Sequence, residues 1–153
     1  MIFLGPSFLG ANATMNNFEN GSSNQSPALA AYRGDIAFDV GAPEDGTISA
    51  RMTVTDGMRN PFGTVHAGAL IWFADVTATH LVLDGRAPTP GMAGFPLAIN
   101  LTANLVGNLS AGTLTATAHF VKRGRTLSIV RTSVCGPDAR LLLDVTTTHL
   151  AAK

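Results

Sequence analysis

The chain has 153 residues, of which 46% are hydrophobic and only 13% charged, with ten Lys and Arg against ten Asp and Glu. That length suffices for one domain that buries ~70% of its unfolded surface without help from disulfides or metals. The even charge balance excludes the basic face that nucleic acid or an anionic membrane surface would demand. So apolar a chain with so few charges is expected to hide part of its surface against another copy of itself, as a homodimer or homotetramer. Cys135 is the single cysteine. It permits no intrachain disulfide, points to a reducing, cytoplasmic location and reads as a small buried residue without a chemical role.

Residues 1–30 begin apolar but lack the Lys or Arg that precedes the apolar part of a secretory signal, and from Asn12 to Ser26 they are rich in Asn and Ser. They read as an N-terminal extension to a single domain over 31–153. No run approaches the ~20 apolar residues of a membrane span. The first alternating segment is GTISARMTVTDG, 46–57, a strand. NPFG then supplies a Pro and Gly turn, and Ala67 to Val82 follows without Pro and with no Gly beyond Gly68. Apolar residues on every side of its 3.6-residue wheel predict a helix covered nearly all round. DGRAPTPG ends it.

Four more strands follow. PLAINLTANLV (96–106) is joined by a polar loop to TLTATAHFV (113–121), RTLSIVRTSV (125–134) and RLLLDVTTTHL (140–150), which are separated by the turn compositions KRGR and CGPDA. The last three form an antiparallel meander, with 96–106 in the same sheet. An antiparallel sheet curling around one long central helix, an α+β architecture, is the arrangement that covers such a helix in this element order.

Two ionisable residues of the segment 60–79 stand on this helix, His66 at its entrance and Asp75 halfway along. Nine positions at 100° each make two and a half turns and a rise of ~13 Å, so the two side chains point to opposite sides. If both serve one reaction, the partner of each comes from a second subunit, with two helices antiparallel across a two-fold axis. Asp75 shares its side with Ile71, Trp72, Ala78 and Val82. Loss of hydration there raises a carboxyl pKa and suits a general base or nucleophile, whereas a local bond aided by Thr79 would make it structural. The free N–H groups of the first turn, around Ala67 and Gly68, could hold an oxyanion. Asn60 could orient a water or a carbonyl, or build the turn. His66, His80, His119 and His149 have no metal-site spacing, and no cofactor motif, phosphate loop or Ser nucleophile elbow is present.

The set Asn60, Gly63, Thr64, His66, Gly68 and Asp75, followed by the strands and VKRGRT, resembles the hotdog-fold acyl-CoA thioesterases of the phenylacetate-pathway and 4-hydroxybenzoyl-CoA type. The likeness spans roughly 35 to 150. It implies hydrolysis of an acyl-CoA to free acid and CoA. In that family the carboxylate matching Asp75 activates water or attacks the carbonyl, the Ala67 amide polarises that carbonyl, and Asn60 and His66 position the reacting groups from the neighbouring subunit. The turn Lys122, Arg123, Gly124, Arg125 and Thr126 resembles the segment that meets the CoA end, where three cations around one glycine suit phosphates and an ordinary charged hairpin turn is the plain alternative. Gly63 and Trp72 are expected beside the substrate. Phe62, Phe73 and Phe95 could join Trp72 in a pocket for a medium-chain or aromatic acyl group, or belong to the core.

Two departures stand out. The family usually has His-Gly-Gly where this chain has His66-Ala67-Gly68, and a methyl there restricts the turn. Relatives often place a Ser or Thr on the strand after the helix, where Pro96 and Ala98 stand here and Asn100 or Thr102 could substitute. These departures motivate an alternative, a non-catalytic binding protein for an acyl-CoA or small acid on the same fold. A hotdog dehydratase or hydratase uses a histidine and an acid in sequence surroundings that this chain lacks.

Overall fold

A computed structural model describes residues 33–152. The extension expected over 1–30 lies outside the described residues. The elements run β1 (Asp39–Val40), β2 (Thr47–Thr53), α1 (Ala67–Leu83), β3 (Pro96–Leu105), β4 (Thr113–Lys122), β5 (Leu127–Cys135) and β6 (Leu141–Ala151), with a 3-10 turn at Asp56–Met58. They build one antiparallel sheet in the order β1-β2-β4-β5-β6-β3, with α1 packed across one face of it. The meander and the membership of β3 in the same sheet are as the alternation predicts; its place beside β6 is a finding of the structure.

The differences have local causes. A sixth strand, β1, was missed because two residues hold no periodicity. β2 stops at Thr53, since the chain after it turns into Asp56–Met58. Cys135 closes β5 half-buried rather than buried.

The two-residue period of each strand sends one set of side chains toward the helix. Ile48, Ala50 and Met52 on β2, Leu114, Ala116 and Ala118 on β4 and Val130 and Val134 on β5 are each at most 2% exposed. They meet Ala69, Leu70, Phe73, Ala74, Ala78 and Leu81 of α1, all buried. Alanines on both surfaces let helix and sheet approach closely, which is why so many core positions are small.

The helix is not covered all round. Its far side, away from the sheet, leaves Trp72 46% exposed and Ile71, Asp75, Val76, Thr79 and His80 only half-buried. One sheet can cover about half a helix, so an α-helix apolar on every side keeps an uncovered stripe within this protomer. β3 is uncovered as well: it ends the sheet, and Leu97, Ile99 and Leu105 are 50%, 54% and 47% exposed.

A bulge in β3 decides what its side chains face. Ala98 pairs with His149 and Asn100 with Thr148, leaving Ile99 as the extra residue. Pro96 and Ala98 therefore share the helix side with Leu101, Ala103 and Leu105. Asn100 and Thr102 lie opposite Thr148 and Thr146, on the outer face of the sheet. They do not replace a hydroxyl near Asp75.

Candidate active site

Asn60 opens the loop that presents His66. Its Oδ1 accepts from the amides of Phe62 at 2.9 Å and Thr64 at 3.2 Å, and its Nδ2 donates to the Thr64 hydroxyl at 2.8 Å. These three bonds make the carboxamide the organiser of the turn, with one amide hydrogen left over. Gly63 adopts φ 80°, a left-handed conformation that a side chain would strain. Phe62, at the tip, is 91% exposed.

His66 is the N-cap of α1: its Nδ1 accepts from the Gly68 amide at 2.9 Å. An accepting Nδ1 puts the proton of a neutral ring on Nε2, which leaves Nε2–H as the outward donor. A Cβ on Gly68 would stand 3.1 Å from that Nδ1, so the glycine makes room for the ring. The Gly68 amide is thus engaged within the cap, and the Ala67 amide is the one that makes no bond in this turn. Ala67 has an ordinary negative φ, so its methyl group does not distort the turn. The free donor sits at the positive end of the helix, where a developing oxyanion is stabilised.

Asp75 lies on the uncovered side of α1. Its Oδ1 is buried without a hydrogen-bond partner, so neither a backbone amide nor Thr79 holds that oxygen. Burial raises its carboxyl above the ordinary range, and the nearby His149 opposes that rise. Asp75 faces a cavity of about 300 Å³ walled by Thr79, His80, Phe95, Pro96 and Ala98. His66 faces a different cavity, of about 380 Å³, with Asn60, Gly68, Ile36 and Met58. One protomer therefore holds His66 and Asp75 apart, as their half-turn phase requires.

The turn after β4 contributes to a third cavity, of about 310 Å³, lined by Arg123, Gly124, Arg125 and Thr126 together with Arg86 and His149. Lys122 is not part of its wall. The Arg123 guanidinium donates to the Asp84 carboxylate at 2.6 Å and lies 5.2 Å from the centre of the Phe120 ring. That pair ties the turn to the C-cap of α1, Asp84, whose φ of 54° is left-handed. Gly124 is required by space, since a Cβ would lie 2.5 Å from the Leu127 carbonyl oxygen. Trp72 packs edge-on against Phe38, ring centres 5.1 Å apart, outside all three cavities. Phe73 is core.

Arg86, His80 and His149 carry no site role in the expectations drawn from the sequence. Thr79, weighed only as a structural partner of Asp75, was legible as a cavity residue because four positions place it one turn along the same face. His149 was legible from alternation, since LLLDVTTTHL puts it in phase with Val145 and Thr147. Among the described residues no three His, Cys, Asp or Glu side chains gather as a metal set, and no helix is long and apolar enough to cross a membrane.

No family model matches the chain. It is 28% identical over 109 residues to the 1,4-dihydroxy-2-naphthoyl-CoA hydrolase of Listeria monocytogenes serotype 1/2a (strain 10403S), covering 70% of this chain and 84% of that one. A mutant thioesterase enzyme from Staphylococcus aureus subsp. aureus Mu50 superposes with TM-score 0.69 at 24% identity, over 76% of this chain and 93% of that one. The E. coli PaaI protein from the phenylacetic acid degradation operon superposes with TM-score 0.67 at 20% identity, over 76% and 80% of the two chains. The chain has the hotdog fold. Its likeness is to the thioesterases of that fold, as the motif from Asn60 to Asp75 anticipates.

Proposed function

We propose that the chain is an acyl-CoA thioesterase whose active site forms between two copies, with Asp75 from one and His66, the Ala67 amide and Asn60 from the other. The observation that carries this reading is Asp75 itself: a carboxylate on an apolar helix, unpaired at Oδ1 and facing an apolar cavity. A carboxylate made more basic by burial takes a proton from water, and the water oxygen attacks the thioester carbonyl. The alternative first step is direct attack by Asp75, giving an anhydride that water then opens. Negative charge develops on the carbonyl oxygen and is met by the Ala67 amide and the His66 Nε2–H. The carbon–sulfur bond breaks, CoA leaves as thiolate and takes up the proton, and the free acid remains. Thr79 lines the same cavity as Asp75, which supports giving its hydroxyl the role of holding the attacking water. The cavity with Arg86, Arg123 and Arg125 suits the phosphates of CoA.

The two uncovered surfaces support the dimer. Pairing β3 with its copy would continue the sheet and bring the open stripes of two antiparallel helices together, with each Asp75 toward the other's His66. A medium-chain or aromatic acyl group fits the apolar walls around Phe95 and Met58, and the Listeria relative is named for an aromatic substrate.

The test is release of CoA thiol from short, medium, long and aromatic acyl-CoAs. Turnover is expected, with kcat/KM at least about tenfold higher for a medium-chain or aromatic acyl-CoA than for acetyl-CoA. Saturable binding without hydrolysis of any member would replace the enzyme with the binding-protein reading.

A further inference from the structure

The inner face of the sheet carries one ionisable residue that the reaction as described does not use. His149 on β6 is 1% exposed, beneath the second half of α1. Its Nε2 lies 2.8 Å from the Thr147 hydroxyl, and its Nδ1 is buried without a hydrogen-bond partner. In the ladder it stands beside Ala98, a wall residue of the Asp75 cavity. It is itself a wall residue of the cationic cavity, and Pro96 is common to both. His149 thus occupies the partition between the carboxylate and the cations. Buried imidazoles are costly unless both nitrogens find work; the other buried side-chain atoms without a partner are Asp75 Oδ1 and Thr132 Oγ1, and of these the carboxylate is the one that only accepts.

We propose that His149 is a positioning residue for Asp75, its Nδ1–H directed toward the carboxylate while the Thr147 hydroxyl donates to Nε2. The Thr147 hydroxyl is compatible with this tautomer: a neutral ring has one donor and one acceptor, and a hydroxyl that donates to Nε2 leaves the proton on Nδ1. The carbonyl of Pro96 faces the ring too. The ring is kept neutral chiefly by burial, with the Pro96 carbonyl and the Asp75 charge acting the other way. A neutral donor steadies the carboxylate and limits how far burial raises it, without cancelling its charge as a cation would.

Other groups face the pair from the packed elements. His80 shares the Asp75 cavity from the same helix; β3 offers no titratable side chain, and β5 sends Ser128, Val130 and Thr132 inward. On the far side of His149 stand Asp84, Arg86, Arg123 and Arg125.

This inference rests on the role given to Asp75, so the test has one readout independent of turnover. His149→Leu, His149→Asn and His149→Gln are made in the full chain, and kcat and KM are followed against pH by thiol release. In parallel the Asp75 carboxyl carbon is titrated by NMR. In His149→Leu, kcat is expected to fall about tenfold with KM within about twofold. The acid limb and the NMR midpoint should both move to higher pH, because a group that lowers the carboxyl pKa has been removed. Asn carries its N–H near the place of Nδ1 and should restore both, while Gln carries it near Nε2 and should behave like Leu.

An unchanged midpoint in His149→Leu, or rescue by Gln and not by Asn, overturns the proposal. If the wild type hydrolyses no thioester, the reaction is wrong, yet the NMR midpoint still decides whether His149 acts on Asp75. If His149→Leu does not fold, the contrast between Asn and Gln decides it.

Discussion

Asp75→Asn should lower kcat by about two to four orders of magnitude on every thioester the wild type accepts, with KM little changed. Asn keeps the shape and most of the polarity of the side chain but can neither take a proton from water nor attack a carbonyl. The same variant should be more resistant to heat at neutral pH. Burial raises the Asp75 carboxyl in the folded protein, so the charged form is disfavoured there relative to the unfolded chain. Stability is then lost as pH rises from the unfolded carboxyl range through the folded value. Asn carries no charge, so its advantage should be present at pH 7 and vanish below the ordinary Asp pKa of about 3.9. Thermal melts at pH 7 and pH 3 beside kinetics at pH 7 check both halves. An Asp75→Asn chain co-expressed with a His66→Ala chain adds a test of shared sites. The mixed dimer holds one intact site of two, so roughly half of the wild-type rate per dimer should return. Recovery below the sum of the two parents would place both residues in one subunit's site.

Leu101→Lys should abolish assembly and turnover together. Leu101 is 38% exposed within the protomer, on the helix side of the edge strand β3. An ammonium group there keeps its hydration in a single copy but would be buried without a partner in the paired form. Sedimentation should show a monomer, circular dichroism an unchanged sheet, and thiol release a loss of at least about a hundredfold, because in the proposed shared site each subunit alone holds half of the groups. A variant that stays dimeric, or a monomer that keeps full turnover, would remove the shared-site reading.

Asp75 and His66 were legible because rotation per residue is fixed in a helix, so the sequence alone separates their faces. The meander of β4, β5 and β6 was legible from alternation and from the Gly and Pro punctuation between segments. Three things were not. The open side of α1 was hidden because hydropathy reports that a side needs cover and does not say whether sheet or second copy provides it. The bonds of Asn60 and the Gly68 amide were hidden because a turn bond and a substrate bond ask for the same residue types. Arg86 could not be joined to Arg123 and Arg125, since the loop after the helix returns to the β4–β5 turn only in three dimensions.

Ile99 interrupts the count in β3 without belonging to either face. Read with that residue removed, the strand is a strict alternation in which Pro96, Ala98, Leu101, Ala103 and Leu105 fall in phase. The strand is therefore two half-strands spliced in opposite parity. The first half walls the carboxylate cavity, while in the second Ala103 packs against the core and Leu101 and Leu105 stay exposed. Because the splice separates them, the residues that shape the Asp75 cavity and those of the second half that the proposed dimer would cover can change independently along one continuous stretch of backbone.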